Sequence, residues 1–152
     1  MRVLLMLIRN LEIGDIESLS KLYYQFWNED SDVVKMRNKF SDLQNNDSYI
    51  FLCAAEGDLL VGSVMGVVCE ELYGNCKPFL VVENMVVDRN YRRKGIGKML
   101  FEELEKQAKI KECSQKILVT ETERGGACKF YESMGFHPTI NKGYKKKLSQ
   151  AY

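Results

Sequence analysis

The run Arg92-Arg93-Lys94-Gly95-Ile96-Gly97-Lys98 combines residue types and spacing suited to holding an anion. An apolar stretch, residues 79–87, leads into it, and an amphipathic pattern follows. Glycines 95 and 97 lack a Cβ, so the backbone there can approach an oxyanion closely. Successive N–H groups from about Arg93 to Lys98 can point into one concavity at the start of a helix. Hydrogen bonds to charged oxygens contribute roughly 1.5–3 kcal/mol each. The helix dipole adds about 0.3–1 kcal/mol. The cationic side chains can screen phosphate charge. Taken alone, Arg-x-x-Gly-x-Gly also fits a plain glycine-containing helix start with solvated cations, so the surrounding elements must decide.

Two familiar phosphate loops are excluded by single positions. A dinucleotide fingerprint needs a third glycine where Leu100 stands. A Walker A loop needs glycine at Arg92 and Ser or Thr at Met99. A second irregularity lies just upstream: Glu83 and Asn84 interrupt an otherwise apolar strand pattern. A polar pair in a buried strand is a local conflict of the kind that marks functional or strained sites. Alternation puts Glu83 on the same side as Met85 unless a bulge intervenes.

The rest of the chain must position these residues. At 152 residues it is long enough for one domain with a real core. A net charge of +1 gives no general pull toward nucleic acid or membrane, so any anion site is local. Five cysteines without Cys-x-x-Cys spacing, and a single histidine, His137, give no zinc-ligand pattern. We expect no metal, and reduced, mostly buried thiols. The apolar run 3–8 is too short for a signal-peptide core, and no later stretch is long enough to span a bilayer. A soluble cytoplasmic protein is the expectation.

Taken in order, residues 5–9 read as a strand. Asp15 and Asp32 are placed to cap two helices, with Ile16, Leu19, Leu22, Tyr23 and Phe26 on one face of the first. Val33, Met36, Phe40 and Leu43 line the second. Residues 49–55 and 59–70 form a hairpin around Glu56-Gly57-Asp58. Residues 79–87 add a third consecutive strand after a turn at Gly74-Asn75. The helix after the basic turn buries Ile96, Leu100, Leu104 and Ala108. Residues 116–120 form a short buried strand and 125–134 a short helix. A last hairpin is expected from 136–140 and 144–148 around Asn141-Lys142-Gly143, with solvated edge charges at 145–147.

Two phrases in this order resemble the GNAT superfamily of N-acetyltransferases. The first, ENMVVDRNYRRKGIGKML, carries the family's Gln/Arg-x-x-Gly-x-Gly/Ala. The second, Ala127-Cys128-Lys129-Phe130-Tyr131-Glu132-Ser133-Met134-Gly135-Phe136, is similar to its Ala-x-x-Phe-Tyr-x-x-x-Gly-Phe. The opening LIRNLEIGDIESL also resembles the family's strand–Asp–helix start, so the likeness spans nearly the whole chain. It implies an α/β (α+β) fold in which a mixed, mostly antiparallel sheet of six to seven strands is packed with about four helices. Residues 1–152 would be one N-acetyltransferase domain.

The resemblance further implies acetyl-CoA as acetyl donor. Arg92 to Lys98 would cradle its pyrophosphate. The segment Met85, Val86 and Val87 would hold the pantetheine arm like an added strand, with the Met85 N–H facing the thioester oxygen. Tyr131 would also touch the cofactor and protonate the departing thiolate. A strand bulge near Glu83 would splay two strands and admit the donor. Many members carry Asn where this chain has Arg124, which leaves that position's role open.

Aminolysis of a thioester needs a neutral amine, whereas an alkyl ammonium has a pKa of about 10.4. Glu83 is the candidate base, acting directly or through water; a structural carboxylate paired with a neighbouring cation is an equal alternative. The oxyanion needs a preorganised donor, which a strand N–H freed by a bulge supplies. Thiolate expulsion is easier, since a thiol has a pKa of about 8.5. Cys128 reads as a packed thiol, not a nucleophile. The acceptor is expected to be a primary amine of a small molecule, attacked directly in a ternary complex. Alternatives are a protein N-terminus or lysine, or a CoA-sensing domain without turnover. Family members are often dimers, although no stretch of this sequence marks a homodimer interface.

Overall fold

The computed structural model describes residues 5–149. Val3 and Leu4 of the opening apolar run lie outside them. The described residues fall into two compact units divided after Leu118. Among them are four α-helices and five strands, in an α+β arrangement.

The first unit opens with β1 (Met6–Asn10), a 3-10 turn (Ile13–Asp15), α1 (Ile16–Trp27) and α2 (Val33–Leu43). β2 (Tyr49–Glu56), β3 (Leu59–Cys69) and β4 (Phe79–Val87) follow. A 3-10 turn (Arg89–Tyr91), α3 (Ile96–Ile110) and β5 (Lys116–Ile117) complete it. The sheet order is β1-β2-β3-β4-β5. The first four strands are antiparallel neighbours, and β5 runs parallel to β4. Gly57, at φ 60°, makes the two-residue connection of the β2–β3 hairpin, as the Gly-Asp pair predicts.

One face of the sheet carries α1 and α2. Ile16, Leu19 and Leu22 of α1 and Phe40 of α2 pack with Cys53, Leu60 and Val86 of the sheet. Asp32 caps α2 by accepting from the Lys35 N–H at 3.0 Å. Asp15 makes no capping bond to α1. Its carboxylate accepts instead from the Glu12 N–H and from both arms of the Arg9 guanidinium, at 2.7 and 3.0 Å. The paired Arg9 holds the Asp15 carboxyl below the usual carboxylate range, against a smaller opposing effect of burial. The strand–Asp–helix start is thus a tie between β1 and the turn before α1.

The other face carries α3. Ile96, Leu100, Leu104 and Ala108 are buried as their spacing predicts, and Phe101 joins them. Gly62 and Gly66 of β3 permit the close approach. A Cβ on Gly66 would lie 2.8 Å from Leu104 Cδ1 and 3.1 Å from Leu80 Cδ1.

The second unit contains α4 (Gly125–Ser133), ended by Gly135 at φ 92°. The last hairpin does not form, and neither 136–140 nor 144–148 is strand. Ile140, Tyr144 and Leu148 are 71%, 88% and 93% exposed, so the segment has no buried face. A two-stranded hairpin without one is marginal in water. The described sheet therefore has five strands in place of six to seven. β5 is also shorter than expected, two residues, and is not buried. The thiols are free, as expected, but only Cys53 is fully buried, and Cys76 is exposed.

Candidate functional site

The Glu83-Asn84 interruption is a β-bulge. Ser63 pairs with Val86 and Met65 with Glu83, so Asn84 and Met85 together oppose Val64 alone. Asn84 takes the left-handed conformation that the extra residue requires, at φ 52°. Asn tolerates this region better than most residues. Tyr23 of α1 brings its phenol beside the Asn84 carboxamide. Burial raises the Tyr23 phenol to about 12, opposed by the neighbouring Asn84 carboxamide.

The bulge reverses the side-chain alternation. Leu80 and Val82 lie with Gly66 on the α3 face, whereas Val86 belongs to the α1 cluster. Glu83 consequently shares the α1 face with Val86, not with Met85. It is also exposed. The conflict anticipated for a buried carboxylate is absent, because the carboxylate is in solvent.

The pairing of β4 with β5 ends just before the bulge, at Leu80 with Lys116 and Val81 with Ile117. From Val82 to Val87, β4 has no strand partner on that edge among the described residues. Met85 and Val87 are half-buried and Val86 is buried. The sheet thus opens beside the polar pair, leaving strand backbone in position to pair with an extended ligand.

Beyond Val87 the chain makes the basic turn. Arg93 at φ 62° and Gly95 at φ 78° reverse it into α3. Gly95 is the N-cap and has no side chain to cap with. Nothing lies within 4 Å of where its Cβ would be. The first intrahelical bond is from the Met99 N–H to the Gly95 carbonyl, at 3.0 Å. The amides of Ile96, Gly97 and Lys98 thus precede the helical ladder, next to open space. This arrangement suits phosphate oxygens.

Three of the turn's cations, Arg92, Lys94 and Lys98, are engaged with the protein itself. The Arg92 guanidinium lies 5.1 Å over the Phe26 ring, and its Nε donates to the Val87 carbonyl at 3.4 Å. The Lys94 ammonium sits 4.8 Å over Tyr91. Lys98 pairs at 3.8 Å with Glu102 on the exposed side of α3, a contact worth little in water. The backbone amides, more than these three side chains, are placed to meet an anion.

Tyr131 lies on α4 in the second unit and is half-buried. Its ring meets Phe130 at 5.6 Å and Phe136 edge-on at 6.1 Å. Burial raises its phenol pKa, opposed by the positive charge of Arg124 and reinforced by Cys128. Arg124 stands directly before α4 and acts electrostatically on Tyr131. The first unit holds Glu83, Met85, Val86, Val87 and the run Arg92 to Lys98 along one segment.

Sequence reasoning missed Tyr23 and Gln25 as supports of that segment. Both read as helix positions, and only the fold brings them to partners about sixty residues away. Among the described residues, no helix is long and apolar enough to cross a membrane.

A family model described as the acetyltransferase (GNAT) family matches residues 15–136. The chain belongs to this family of acetyltransferases. Solved structures with the same fold include a transcriptional regulator from Bacillus halodurans C-125, at 22% identity and TM-score 0.86, covering 95% of this chain and 100% of that one. Glucosamine-6-phosphate N-acetyltransferase from Arabidopsis thaliana matches at 23% identity and TM-score 0.81, covering 96% and 99%. AAC(6')-Iy, in complex with the bisubstrate analog CoA-S-monomethyl-acetylneamine, matches at 19% identity and TM-score 0.79, covering 95% and 99%. At these identities the likeness establishes the shared fold.

Proposed function

We propose that residues 1–152 act as one acetyl-CoA-dependent N-acetyltransferase domain that acetylates a primary amine of a small molecule in a ternary complex. One observation carries this reading. The bulge at Asn84-Met85, the end of β4–β5 pairing and the uncapped amides of α3 follow one another along a single segment. That order suits an extended donor with a pyrophosphate at one end. The acetyltransferase family and the AAC(6')-Iy complex with a CoA-linked analog support the donor assignment.

When bound, acetyl-CoA supplies a thioester carbonyl for attack by an amine. The amides of Ile96, Gly97 and Lys98, within the Arg92-to-Lys98 turn, hold its phosphates. The opened edge at Met85, Val86 and Val87 pairs with the pantetheine arm, and the Met85 N–H stabilises negative charge developing on the thioester oxygen. Glu83 is exposed and takes the proton of the attacking amine directly or through water. Tyr131, its proton retained more firmly because of burial, is the donor to the leaving thiolate.

The test is a thiol-release screen over amines with acetyl-CoA as donor, combined with thermal shift on adding acetyl-CoA. We expect a raised melting temperature and turnover with small primary amines. Turnover only with peptide amines would move the acceptor to a protein. A thermal shift without turnover would leave a CoA-sensing domain, and no shift at millimolar acetyl-CoA would remove the donor assignment.

A further inference from the structure

A turn that presents several amides to one ligand must itself be held still. Two backbone bonds contribute: the Asp88 N–H donates to Val61 of β3 at 2.7 Å, and the Tyr91 N–H to the Asp88 carbonyl at 2.9 Å. The remaining grip comes from α1. Gln25 Nε2 donates to Asp88 Oδ2 at 2.8 Å, and Gln25 Oε1 accepts from the Arg89 N–H at 3.2 Å. The other Asp88 oxygen accepts from the Asn90 N–H at 2.8 Å. One carboxamide therefore uses both its ends on consecutive residues at the end of β4. Within the same helical turn, Phe26 lies under Arg92 and the Tyr23 phenol lies beside Asn84. One turn of α1 thus borders the bulge and grips the strand end and the basic turn.

We propose that Gln25 is a positioning residue for the phosphates of the donor. By clasping Asp88 and Arg89 it fixes where the strand ends, and so where the amides of Ile96, Gly97 and Lys98 converge. This inference rests on the reading of that turn as the acetyl-CoA phosphate site.

The donor and acceptor pattern of the clasp gives a specific test. Gln25→Glu sets two carboxylates against each other and leaves Asp88 Oδ2 without its donor. Asp88→Asn sets amide donor against amide donor. Turning either carboxamide only moves the mismatch to the Arg89 or Asn90 N–H. The double exchange Gln25→Glu/Asp88→Asn restores every bond. The carboxamide at position 88 donates to the carboxylate at 25, which still accepts from Arg89, and its own oxygen still accepts from Asn90. Net charge is that of the natural chain.

The measurements are calorimetric Kd values for acetyl-CoA and for S-acetylpantetheine, which lacks the phosphates, together with the melting temperature without ligand. Each single variant should raise the acetyl-CoA Kd about tenfold and leave the S-acetylpantetheine Kd unchanged. The double variant should return to the natural value. If the natural protein binds acetyl-CoA and the single variants match it, the clasp is overturned alone. Equal weakening of both donors, or no recovery in the double variant, also overturns it. Failure of the natural protein to bind acetyl-CoA overturns the phosphate-site reading and the clasp with it.

Discussion

Asn84 has two separable tasks at the bulge: a left-handed backbone at φ 52° and a carboxamide set beside the half-buried Tyr23 phenol. Substitutions can remove them one at a time. Asn84→Gly keeps the backbone conformation and deletes the carboxamide, removing a polar contact worth about 0.5–1.5 kcal/mol. Asn84→Ala deletes the carboxamide and also forces a Cβ into the left-handed region, a further cost of roughly 1–2 kcal/mol. Glycine's greater freedom in the unfolded chain offsets part of that contrast, by about 0.5–1 kcal/mol. The alanine variant should therefore be the less stable of the two by about 1 kcal/mol. Tyr23→Phe removes the other partner. The Tyr23→Phe/Asn84→Gly pair should cost less than the sum of its single changes, by about 0.5–3 kcal/mol, because both single changes remove the same contact. Urea denaturation with a constant slope supplies all four stabilities. An alanine variant as stable as the glycine one would refute the backbone argument, and strict additivity would refute the contact with Tyr23.

Tyr131→Phe should lower kcat by about 10²-fold or more while leaving the acetyl-CoA Kd within a few-fold; an unchanged rate shows that another group protonates the thiolate. Glu83→Gln should lose most activity near neutral pH and recover as pH rises toward the amine pKa, so a constant ratio to the natural enzyme across pH would dismiss Glu83 as base. Gly66→Ala should destabilise by about 1–3 kcal/mol, lowering Tm by roughly 2–4 °C per kcal/mol, because Leu80 and Leu104 are fully buried and have no room to swing aside; an unaltered Tm contradicts that packing. The Arg9–Asp15 pair sets an acid limb. The folded Asp15 pKa lies below its unfolded value of about 3.9, so its stabilisation is full above that value and is lost as pH falls through the folded pKa. Asp15→Asn should flatten the urea-midpoint curve in that window and lower stability at pH 7, and a parallel curve would count against the pair.

The sequence by itself determined what depends on neighbours along the chain. The hairpin at Gly57, the buried stripe from Ile96 to Ala108 and the turn into α3 are set by period and by positive φ, which nearby residues dictate. The polar pair Glu83-Asn84 was legible as an irregularity for the same reason. The last hairpin was misread because alternation and a Gly-bearing turn describe a strand's shape without saying what buries it. Only the tertiary structure decided how the irregularity resolves. Register against β3 made Asn84 the bulged residue and turned Glu83 into solvent on the α1 face, while the early end of β4–β5 pairing opened the β4 edge. It also diverted Arg92 onto Phe26 and brought Gln25 to Asp88, 63 positions away. Such pairings follow from strand register and helix packing, which local propensity does not encode, so the turn's glycines could be read from the sequence while the side chains that hold the turn could not.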